Sequence, residues 1–552
     1  MIAPPNAPAL TGLMMDRPLQ ISWLIDHAAR WHGDVEIVTK RTGLPDSRGT
    51  YRDVRARSAQ IAHALAERLG VRPGDRVATF AWNSQRHLEL YYGVSCSGAV
   101  LHTINPRLFA TQLIYIVNHA RDRFIFIDAD LLPVLEPLAA ELPNVEGYVV
   151  LCDEASLPAT TLPNVLAYET LLAGMPEDIS WPELDERAAS SLCYTSGTTG
   201  NPKGVLYSHR STLLHAFSQV STLNAGPGSL ATILPVVPLF HANAWGIPYL
   251  GAMAGSKLVF ADPHLDPAEL YDALESERVT LTCGVPTIWL RLLEYLERND
   301  LRFSTLRVLC VGGAAPPRAM IEALEVRYGL CVMNAWGMTE TSPACTIGQP
   351  KPQHDVLPQR IDYKTRAGRC LFGVEMRLVD DDGAVLPFDG VAQGELHVRG
   401  PWVAAEYFDD DDATARGVTD DGWLRTGDIA SIDSDGYVTI RDRSKDVIKS
   451  GGEWISSIDL ENVAVAHPGV AEAAAIGIPH PTWSERPILF VVPKAGHAVD
   501  AASVVAFLEG KIAKWWMPDQ VIITTELPHT ATGKISKRTL RERLAENAPA
   551  VN

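Results

Sequence analysis

The chain has 552 residues, of which 46% are hydrophobic and 21% charged, and its formal net charge is -18. A single hydrophobic core stops growing near ~250–300 residues, so this length predicts more than one domain. The acidic balance argues against nucleic acids and anionic membranes as bulk partners, because both repel a negative surface. A negatively charged substrate would need a local basic pocket.

The N-terminus, residues 1–20, is predicted to be a flexible extension. It is rich in proline and lacks the basic start of a signal peptide, and translation from Met1, Met14 or Met15 is equally compatible with the pattern. No run of about 18 apolar residues occurs, so no membrane-spanning helix is expected. The eight cysteines never fall in a C-x-x-C spacing, which excludes that kind of zinc or redox site and favours a reducing, cytoplasmic location.

Helical and strand patterns alternate from residue 21 to about residue 360. Residues 58–65 have the pattern of a helix, whereas residues 76–80, 124–127, 257–260 and 306–311 are short apolar runs typical of buried strands. Alternation of this kind predicts βα units and mainly parallel sheets.

The pattern changes between residues 370 and 442, where short strands are separated by Asp/Gly turns that are typical of hairpins. The whole chain is therefore predicted to be an α/β protein. Its large N-terminal domain, residues 21–442, should combine mixed, mainly parallel sheets and helices with a small barrel-like β part. Residues 443–445 are the expected hinge, and residues 446–552 a small mobile α+β C-terminal domain.

The strongest chemical signal is the segment 194–204, which contains five hydroxyl residues, three glycines and a lysine. Glycines let backbone N–H groups approach a phosphate, hydroxyls donate to its oxygens, and lysine supplies positive charge. The segment follows an apolar run, as a phosphate loop at a strand end should, and it does not have Walker A spacing.

Four further segments carry weaker signals. Residues 334–340 offer an indole for a purine, a hydroxyl for a phosphate and a carboxylate for Mg²⁺. Residues 423–428 place a carboxylate after a Thr-Gly turn, residues 443–453 mix cations with a Gly-Gly turn, and residues 530–535 hold a lysine after a glycine. Taken alone, each segment is more typical of a structural turn or a solvated loop than of a ligand site.

In this order and spacing, the five segments resemble the acyl-adenylate-forming superfamily, from about residue 20 to residue 545. That group includes acyl-CoA synthetases, 4-coumarate–CoA ligases, firefly luciferase and the adenylation domains of peptide synthetases. Residues 239–248, 312–316 and 334–340 are most similar to the medium-chain fatty-acid–CoA ligases and 3-methylthiopropionate–CoA ligases.

The resemblance implies a ligase that joins an acid to coenzyme A through an acyl-AMP, using ATP and Mg²⁺ and releasing pyrophosphate. It implies that the β- and γ-phosphates are held by Thr195, Ser196, Gly197, Thr198, Thr199, Gly200 and Lys203. It implies that the adenosine is held by Gly313, Ala314, Asn334, Ala335, Trp336, Gly337, Asp428 and Arg443. Thr339 and Lys534 are expected at the α-phosphate, and Glu340 with Thr195 at Mg²⁺.

The resemblance also implies that the C-terminal domain rotates about Lys445 after adenylation. Rotation withdraws Lys534 and brings in a second face that helps to bind coenzyme A, with Lys449, Gly451, Gly452 and Glu453. His241 is expected between the acyl pocket and the pantetheine tunnel, although a buried structural histidine is the alternative. The same active-site surface then serves the transition states of both half-reactions, adenylation and thioester formation.

The acyl pocket is expected to be lined by His241, Trp245, Gly246, Val285, Gly312, Gly337, Met338 and Thr341. No carboxylate is present at position 241, where relatives that activate amino acids carry an aspartate, so an acid with a neutral tail is favoured. The glycines suggest a slender aliphatic acid of short to medium length, with a thioether tail as a variant. An aryl acid, a carrier-protein phosphopantetheine as acceptor and a nucleotide-binding protein without activity are the alternatives; a homodimer is expected only by analogy.

Overall fold

The structure, a computed structural model, describes residues 12–195, 201–222, 228–261, 266–450, 453–494, 496–529 and 535–546. Eight of the site residues predicted from the sequence lie outside these ranges, namely Ser196, Gly197, Thr198, Thr199, Gly200, Gly451, Gly452 and Lys534. Most of the predicted N-terminal extension, residues 1–11, also lies outside them.

The first part of the chain supplies strands to two sheets. Its strands are β1 (Glu36–Thr39), β2 (Ser47–Thr50), β3 (Arg76–Phe80), β4 (Val100–Thr103), β5 (Phe124–Ile127), β6 (Gly147–Val150), β7 (Val165–Ala167), β8 (Ala189–Tyr194) and β9 (Gly204–Ser208). Seven of them form a sheet in the order β7-β6-β5-β3-β4-β8-β9, which is parallel except for the antiparallel pair β8–β9.

The second sheet has nine strands and includes β1 and β2 at one edge. The others are β10 (Thr232–Pro235), β11 (Lys257–Phe260), β12 (Leu281–Gly284), β13 (Val308–Val311), β14 (Cys331–Gly337), β15 (Ala344–Ile347) and β16 (Arg369–Cys370). The order is β16-β15-β14-β13-β12-β10-β11-β1-β2, and the strands from β14 to β1 are parallel.

Helices of this region cover the two sheets. They are α1 (Ser22–Trp31), α2 (Tyr51–Glu67), α3 (Gln85–Cys96), α4 (Ala110–Ala120), α5 (Leu132–Leu135), α6 (Tyr168–Leu172), α7 (His209–Thr222), α8 (Ile247–Ala254), α9 (Pro267–Ser276), α10 (Pro286–Arg298), α11 (Arg318–Glu322), α12 (Gln359–Lys364) and α13 (Asp411–Gly417). Helices α2, α3, α9 and α13 begin with a side-chain cap. Helix α2, for example, starts with a capping box between Thr50 and Asp53. Its buried Val54, Ile61 and Leu65 join a core that both sheets share.

Two smaller sheets follow. Strands β17 (Glu375–Val379), β18 (Gly394–Arg399), β19 (Leu424–Ile432) and β20 (Val438–Arg443) form an antiparallel sheet in chain order. The last part of the chain contains β21 (Ile448–Ser450), β22 (Glu453–Ile455), α14 (Ser457–Val465), β23 (Val470–His480), β24 (Ser484–Pro493), α15 (Ala501–Leu508), β25 (Gln520–Ile523) and α16 (Lys537–Glu546). Its five strands form a separate sheet.

The architecture confirms the predicted α/β class, with two large, mainly parallel sheets, a small antiparallel part and a small α+β C-terminal part. Strands β3, β5 and β11 have the predicted bounds, while β13 begins two residues later than expected. The Asp/Gly turn after residue 379 closes a short hairpin, in which Val379 and Val385 form an antiparallel bridge and the Leu386 N–H donates to the Leu378 carbonyl at 2.9 Å. Four residues, 444–447, separate β20 from β21, and these two strands belong to different sheets. None of the described helices is long and apolar enough to cross a membrane.

Candidate active site

The ends of the predicted phosphate loop are joined to each other. Strand β8 ends at Tyr194 and β9 begins at Gly204, and the two strands are antiparallel partners there. The Thr195 N–H donates to the Lys203 carbonyl at 2.9 Å, and the Lys203 N–H donates to the Thr195 hydroxyl at 3.1 Å. The segment between them therefore starts and finishes at one point at the sheet edge, as a phosphate loop requires.

Glu340 is held beside the phosphate-loop ends by Tyr407, an aromatic residue that the sequence analysis did not single out. The Tyr407 hydroxyl donates to Glu340 Oε1 at 2.7 Å, and the Lys203 ammonium lies 4.5 Å from the centre of the Tyr407 ring. Burial, reinforced by Glu340, raises the pKa of Tyr407, so its hydroxyl remains a donor at neutral pH. Tyr407 thus fixes one carboxylate oxygen and packs against the cation of the phosphate loop.

Asp428 connects the predicted adenine and ribose residues. Its Oδ2 accepts from the Trp336 indole N–H at 2.8 Å, and its Oδ1 lies 2.7 Å from Arg443 Nε. Asp428 and Arg443 are direct partners across β19 and β20, which explains why residues 15 positions apart meet. An ionised carboxylate has about four acceptor sites, so both oxygens keep capacity for a ribose hydroxyl.

The backbone of β14 shapes the rest of the adenine subsite. The Asn334 side chain is buried and donates to the Arg366 carbonyl at 2.8 Å. A Cβ on Gly337 would lie 1.8 Å from the Pro343 carbonyl oxygen, so only glycine fits where the two chain segments cross. Beyond this crossing, Tyr207 donates to the Thr339 carbonyl at 2.7 Å, which places Thr339 beside the phosphate-loop strands.

Two large cavities in the described structure meet at these residues. The first, of about 1090 Å³, includes Ala314, Asn334 and Asp428 in its lining. The second, of about 1340 Å³, includes the phosphate-binding and acyl-binding candidates. Both are lined by Gly313, Ala335, Trp336, Gly337 and Arg443. Predicted adenosine residues therefore border both cavities, and predicted phosphate and acyl residues line the second.

The second cavity is locally basic in an acidic chain. Among its described lining residues, eight Lys or Arg side chains face four Asp or Glu side chains. The cations are Lys203, Arg416, Arg425, Arg443, Lys445, Lys537, Arg538 and Arg541. This is the local positive pocket that an anionic substrate of a chain with net charge -18 requires.

The acyl side of this cavity is formed by an unusual turn. Residues 242–246 all have positive φ angles, between 43° and 81°, directly after His241. A left-handed backbone costs about 1–2 kcal/mol for each residue other than glycine, so the turn needs support. The buried Asn243 provides it by donating to the Ser191 hydroxyl at 3.0 Å, and Gln219 donates to the Trp245 carbonyl at 2.9 Å.

The lining includes some predicted acyl-pocket residues and excludes others. His241, Trp245, Gly312, Gly337 and Met338 line the cavity, whereas Gly246, Val285 and Thr341 do not. Thr341 is fully buried and donates to the Met338 carbonyl, and a Cβ on Gly246 would collide with Gln219 and His215. Val285 is the N-cap of α10. The sequence analysis missed the apolar inner walls: Ile247, Leu250, Leu281, Cys283, Cys310 and Ile347.

The C-terminal part contributes to the same cavity. The lining includes Lys445 together with His529 and Ile535, which pair with each other across the segment that contains Lys534. Lys449 is not among the lining residues; it is exposed, and its ammonium lies 5.7 Å from the ring centre of Trp454. Lys449 therefore lies away from the cavity, whereas His529 and Ile535, which flank the predicted Lys534 segment, line it.

A divalent cation fits this site only if a substrate completes its coordination. The described residues contain no group of three or more His, Cys, Asp or Glu side chains that could hold a metal ion. Mg²⁺ in phosphate-handling sites usually binds through one or two carboxylates, phosphate oxygens and water. The fixed carboxylate of Glu340, with the Thr195 hydroxyl at the phosphate-loop end, matches that donor set.

Comparison with known proteins identifies the family. The AMP-binding enzyme family matches residues 25–408, and the AMP-binding enzyme C-terminal domain matches residues 459–534. A 3-methylmercaptopropionyl-CoA ligase of Ruegeria pomeroyi is 49% identical over 539 residues, which span 97% of this chain and 99% of that protein. A medium-chain-fatty-acid–CoA ligase of Ectopseudomonas oleovorans is 44% identical over 539 residues, 97% of this chain and 98% of that protein.

A solved structure agrees with the fold. The anthranilate CoA ligase AuaEII in complex with anthranoyl-AMP is 25% identical and superposes with a TM-score of 0.84, covering 96% of this chain and 99% of that one. Sequence and structure thus match over nearly the whole length. The chain belongs to the AMP-binding enzyme family and, within it, to the AMP-forming acyl-CoA synthetases.

Proposed function

We propose that this chain is an ATP-dependent acid–CoA ligase for short-to-medium-chain aliphatic acids, including thioether acids. The observation that carries the proposal is the single basic cavity, where Lys203, Glu340 and His241 share one space with both ends of the Lys534 segment. ATP and coenzyme A are the co-substrates of this enzyme class. The loading of a carrier protein and an aryl acid are less favoured alternatives.

In the first half-reaction, the acid's carboxylate oxygen attacks the α-phosphorus of ATP and the bond to the pyrophosphate oxygen breaks. The developing charge lies on the departing pyrophosphate, so preorganised cations and donors are the main catalytic device. Lys203 and Thr195 are positioned to hold that pyrophosphate, while Thr339 and Lys534 stabilise the α-phosphoryl oxygens. Mg²⁺, when bound at Glu340 and Thr195, neutralises phosphate charge.

Adenosine binding keeps the α-phosphorus in line with the acid. The indole of Trp336 supplies a flat face for adenine, and its N–H bond to Asp428 prevents the ring from turning. Asp428 and Arg443 then remain available to the ribose from the same side. Rigid placement of the nucleotide contributes to the rate because it removes orientational freedom before the chemical step.

In the second half-reaction, the coenzyme A thiol attacks the acyl carbonyl and AMP leaves. We propose that residues 446–552 rotate about Lys445 for this step, with residues 21–442 as the fixed part. The exposed position of Lys449, away from the cavity that His529 and Ile535 line, supports such an exchange of faces. Lys449, Gly451, Gly452 and Glu453 would then help to bind coenzyme A, beside His241.

The acid's tail is proposed to enter the apolar inner part of the cavity, past Trp245. Its walls include aliphatic side chains and thiols and no carboxylate, which disfavours a cationic tail. The names of the two relatives at 49% and 44% identity, one for a methylthio acid and one for medium-chain fatty acids, agree with this choice. The eight free cysteines support a cytoplasmic location, and a homodimer is proposed by analogy only.

The test is a product survey. Purified protein is incubated with ATP, Mg²⁺, coenzyme A and pooled acids: straight-chain C2 to C16, 3-methylthiopropionate and aryl acids. Mass spectrometry should detect acyl-CoA products centred on one chain length, and comparison of 3-methylthiopropionate with its isostere pentanoate measures any preference for sulfur. Acyl-AMP without acyl-CoA would favour a carrier protein as acceptor, and the absence of pyrophosphate with every acid would refute the proposal.

A further inference from the structure

Two neighbouring parallel strands bound the inner part of the second cavity. The register of these strands shows how deep in the cavity each of their side chains lies. Cys283 of β12 lies directly opposite Cys310 of β13, and Leu281 lies opposite Val308. Side chains two residues apart on a strand point to the same face and are separated by ~6.6 Å. Gly312 follows β13 at the cavity, so Cys310 lies one such step below it and Val308 two steps below.

The upper level is a narrow mouth. Gly312 lies against the Trp245 indole, and a Cβ on Gly312 would be 3.0 Å from Trp245 Cη2. A glycine is needed there because any side chain would close the passage beside the indole. A tail that passes this mouth is confined to the space between β12 and β13 on one side and α8, with Ile247 and Leu250, on the other.

The next level is formed by two thiols. Cys283 and Cys310 are 2% and 8% exposed, and both line the cavity. Each has one heavy atom beyond Cβ, whereas valine has two and leucine three, so each thiol fills less of the slot than a valine or leucine side chain would. Burial raises the pKa of Cys310 to about 12 and that of Cys283 well above its ordinary value. Both side chains are therefore neutral and behave as small apolar walls.

We propose that Cys283 and Cys310 are specificity-determining residues that set how long and how wide an acid's tail can be. The inference rests on the proposed ligase function. An extended chain spans ~3.3–3.6 Å for every three bonds, so a tail reaches the thiol level about five to six bonds below the mouth. Short acids stop above the thiol level, while medium-chain acids run across the sheet face that carries both thiols, toward Leu281.

The thiol level is tested by changing Cys310 in both directions. Cys310→Leu adds two heavy atoms and narrows the slot, and Cys310→Ala widens it. Acid-dependent exchange of labelled pyrophosphate into ATP gives kcat/KM for propionate, octanoate and the wide-tailed 5-phenylpentanoate. Cys152→Leu is the matched control, because Cys152 is a buried thiol in a different hydrophobic cluster.

Cys310→Leu should lower the octanoate-to-propionate ratio of kcat/KM roughly tenfold or more, because overpacking opposes only the tail that reaches this level. Cys310→Ala should raise the ratio for 5-phenylpentanoate over propionate. If Cys310→Leu does not fold, Cys310→Ala and Cys283→Ala decide the question. If these kcat/KM ratios stay within twofold of the wild type, or shift equally in Cys152→Leu, the inference about the thiols is wrong but the ligase function is not. If the wild type is inactive with every acid, both the inference and the proposed function are wrong.

Discussion

Replacing Asp428 by Asn tests the connection between the adenine and ribose residues. The change keeps the shape of the side chain but removes its charge, so Arg443 Nε loses its ionised partner at 2.7 Å. A hydrogen bond to a charged group contributes about 1.5–3 kcal/mol, and the Arg443 side chain is 41% exposed, which lowers this to roughly 1–2 kcal/mol. We expect kcat/KM for ATP to fall roughly 5- to 30-fold.

The assay is pyrophosphate exchange at saturating acid with varied ATP, repeated at saturating ATP with varied acid. The KM for the acid should remain within about twofold, because Asp428 lines the first cavity and not the inner walls of the second. Asp421→Asn is the matched control, since Asp421 is exposed and pairs with Arg377 at the surface. An unchanged kcat/KM for ATP, or an equal loss for both substrates, would refute this reasoning.

Three further predictions concern the lysine segment, the hinge and acid stability. Lys534→Ala should lower adenylation by at least ~10²–10³, the usual cost of losing one transition-state donor, and largely spare thioester formation from supplied acyl-AMP; equal losses would contradict domain alternation. Lys445→Pro should show the opposite selectivity by stiffening the pivot, and full activity in both half-reactions would exclude Lys445 as the hinge. Burial lowers the pKa of His87 and His209 to about 4 and that of His215 to about 3, so these histidines are neutral when folded. Stability should be fully present above pH 6.5 and fall as pH drops toward 4, by about 2 kcal/mol per histidine at pH 5; urea midpoints that stay constant from pH 7 to pH 5 would contradict this.

The sequence was most informative where a short segment carries a function by itself. The ends of the predicted phosphate loop, Thr195 and Lys203, lie together because two neighbouring antiparallel strands hold them. Strands such as β3 and β5 were predictable because they are continuous apolar runs buried in a parallel sheet.

The residues that were missed depend on contacts between distant parts of the chain. Tyr407 reaches Glu340 across 67 positions, and nothing around Tyr407 in the sequence marks it as a partner. Cys283 and Cys310 become one wall only through the register of β12 and β13. Thr341 was predicted to line the acyl pocket, but its hydroxyl instead donates to backbone carbonyl groups of its own turn. Composition does not reveal such local hydrogen bonds.

The central claim is that one cavity first makes an acyl-AMP and then transfers the acyl group to coenzyme A. The most direct test is a single turnover of excess enzyme with labelled ATP, Mg²⁺ and octanoate, followed by addition of coenzyme A. The account predicts stoichiometric pyrophosphate and enzyme-bound octanoyl-AMP before the addition, then octanoyl-CoA and AMP in equal amounts after it. Formation of ADP and phosphate, or of acyl-CoA without a preceding acyl-AMP, would contradict it.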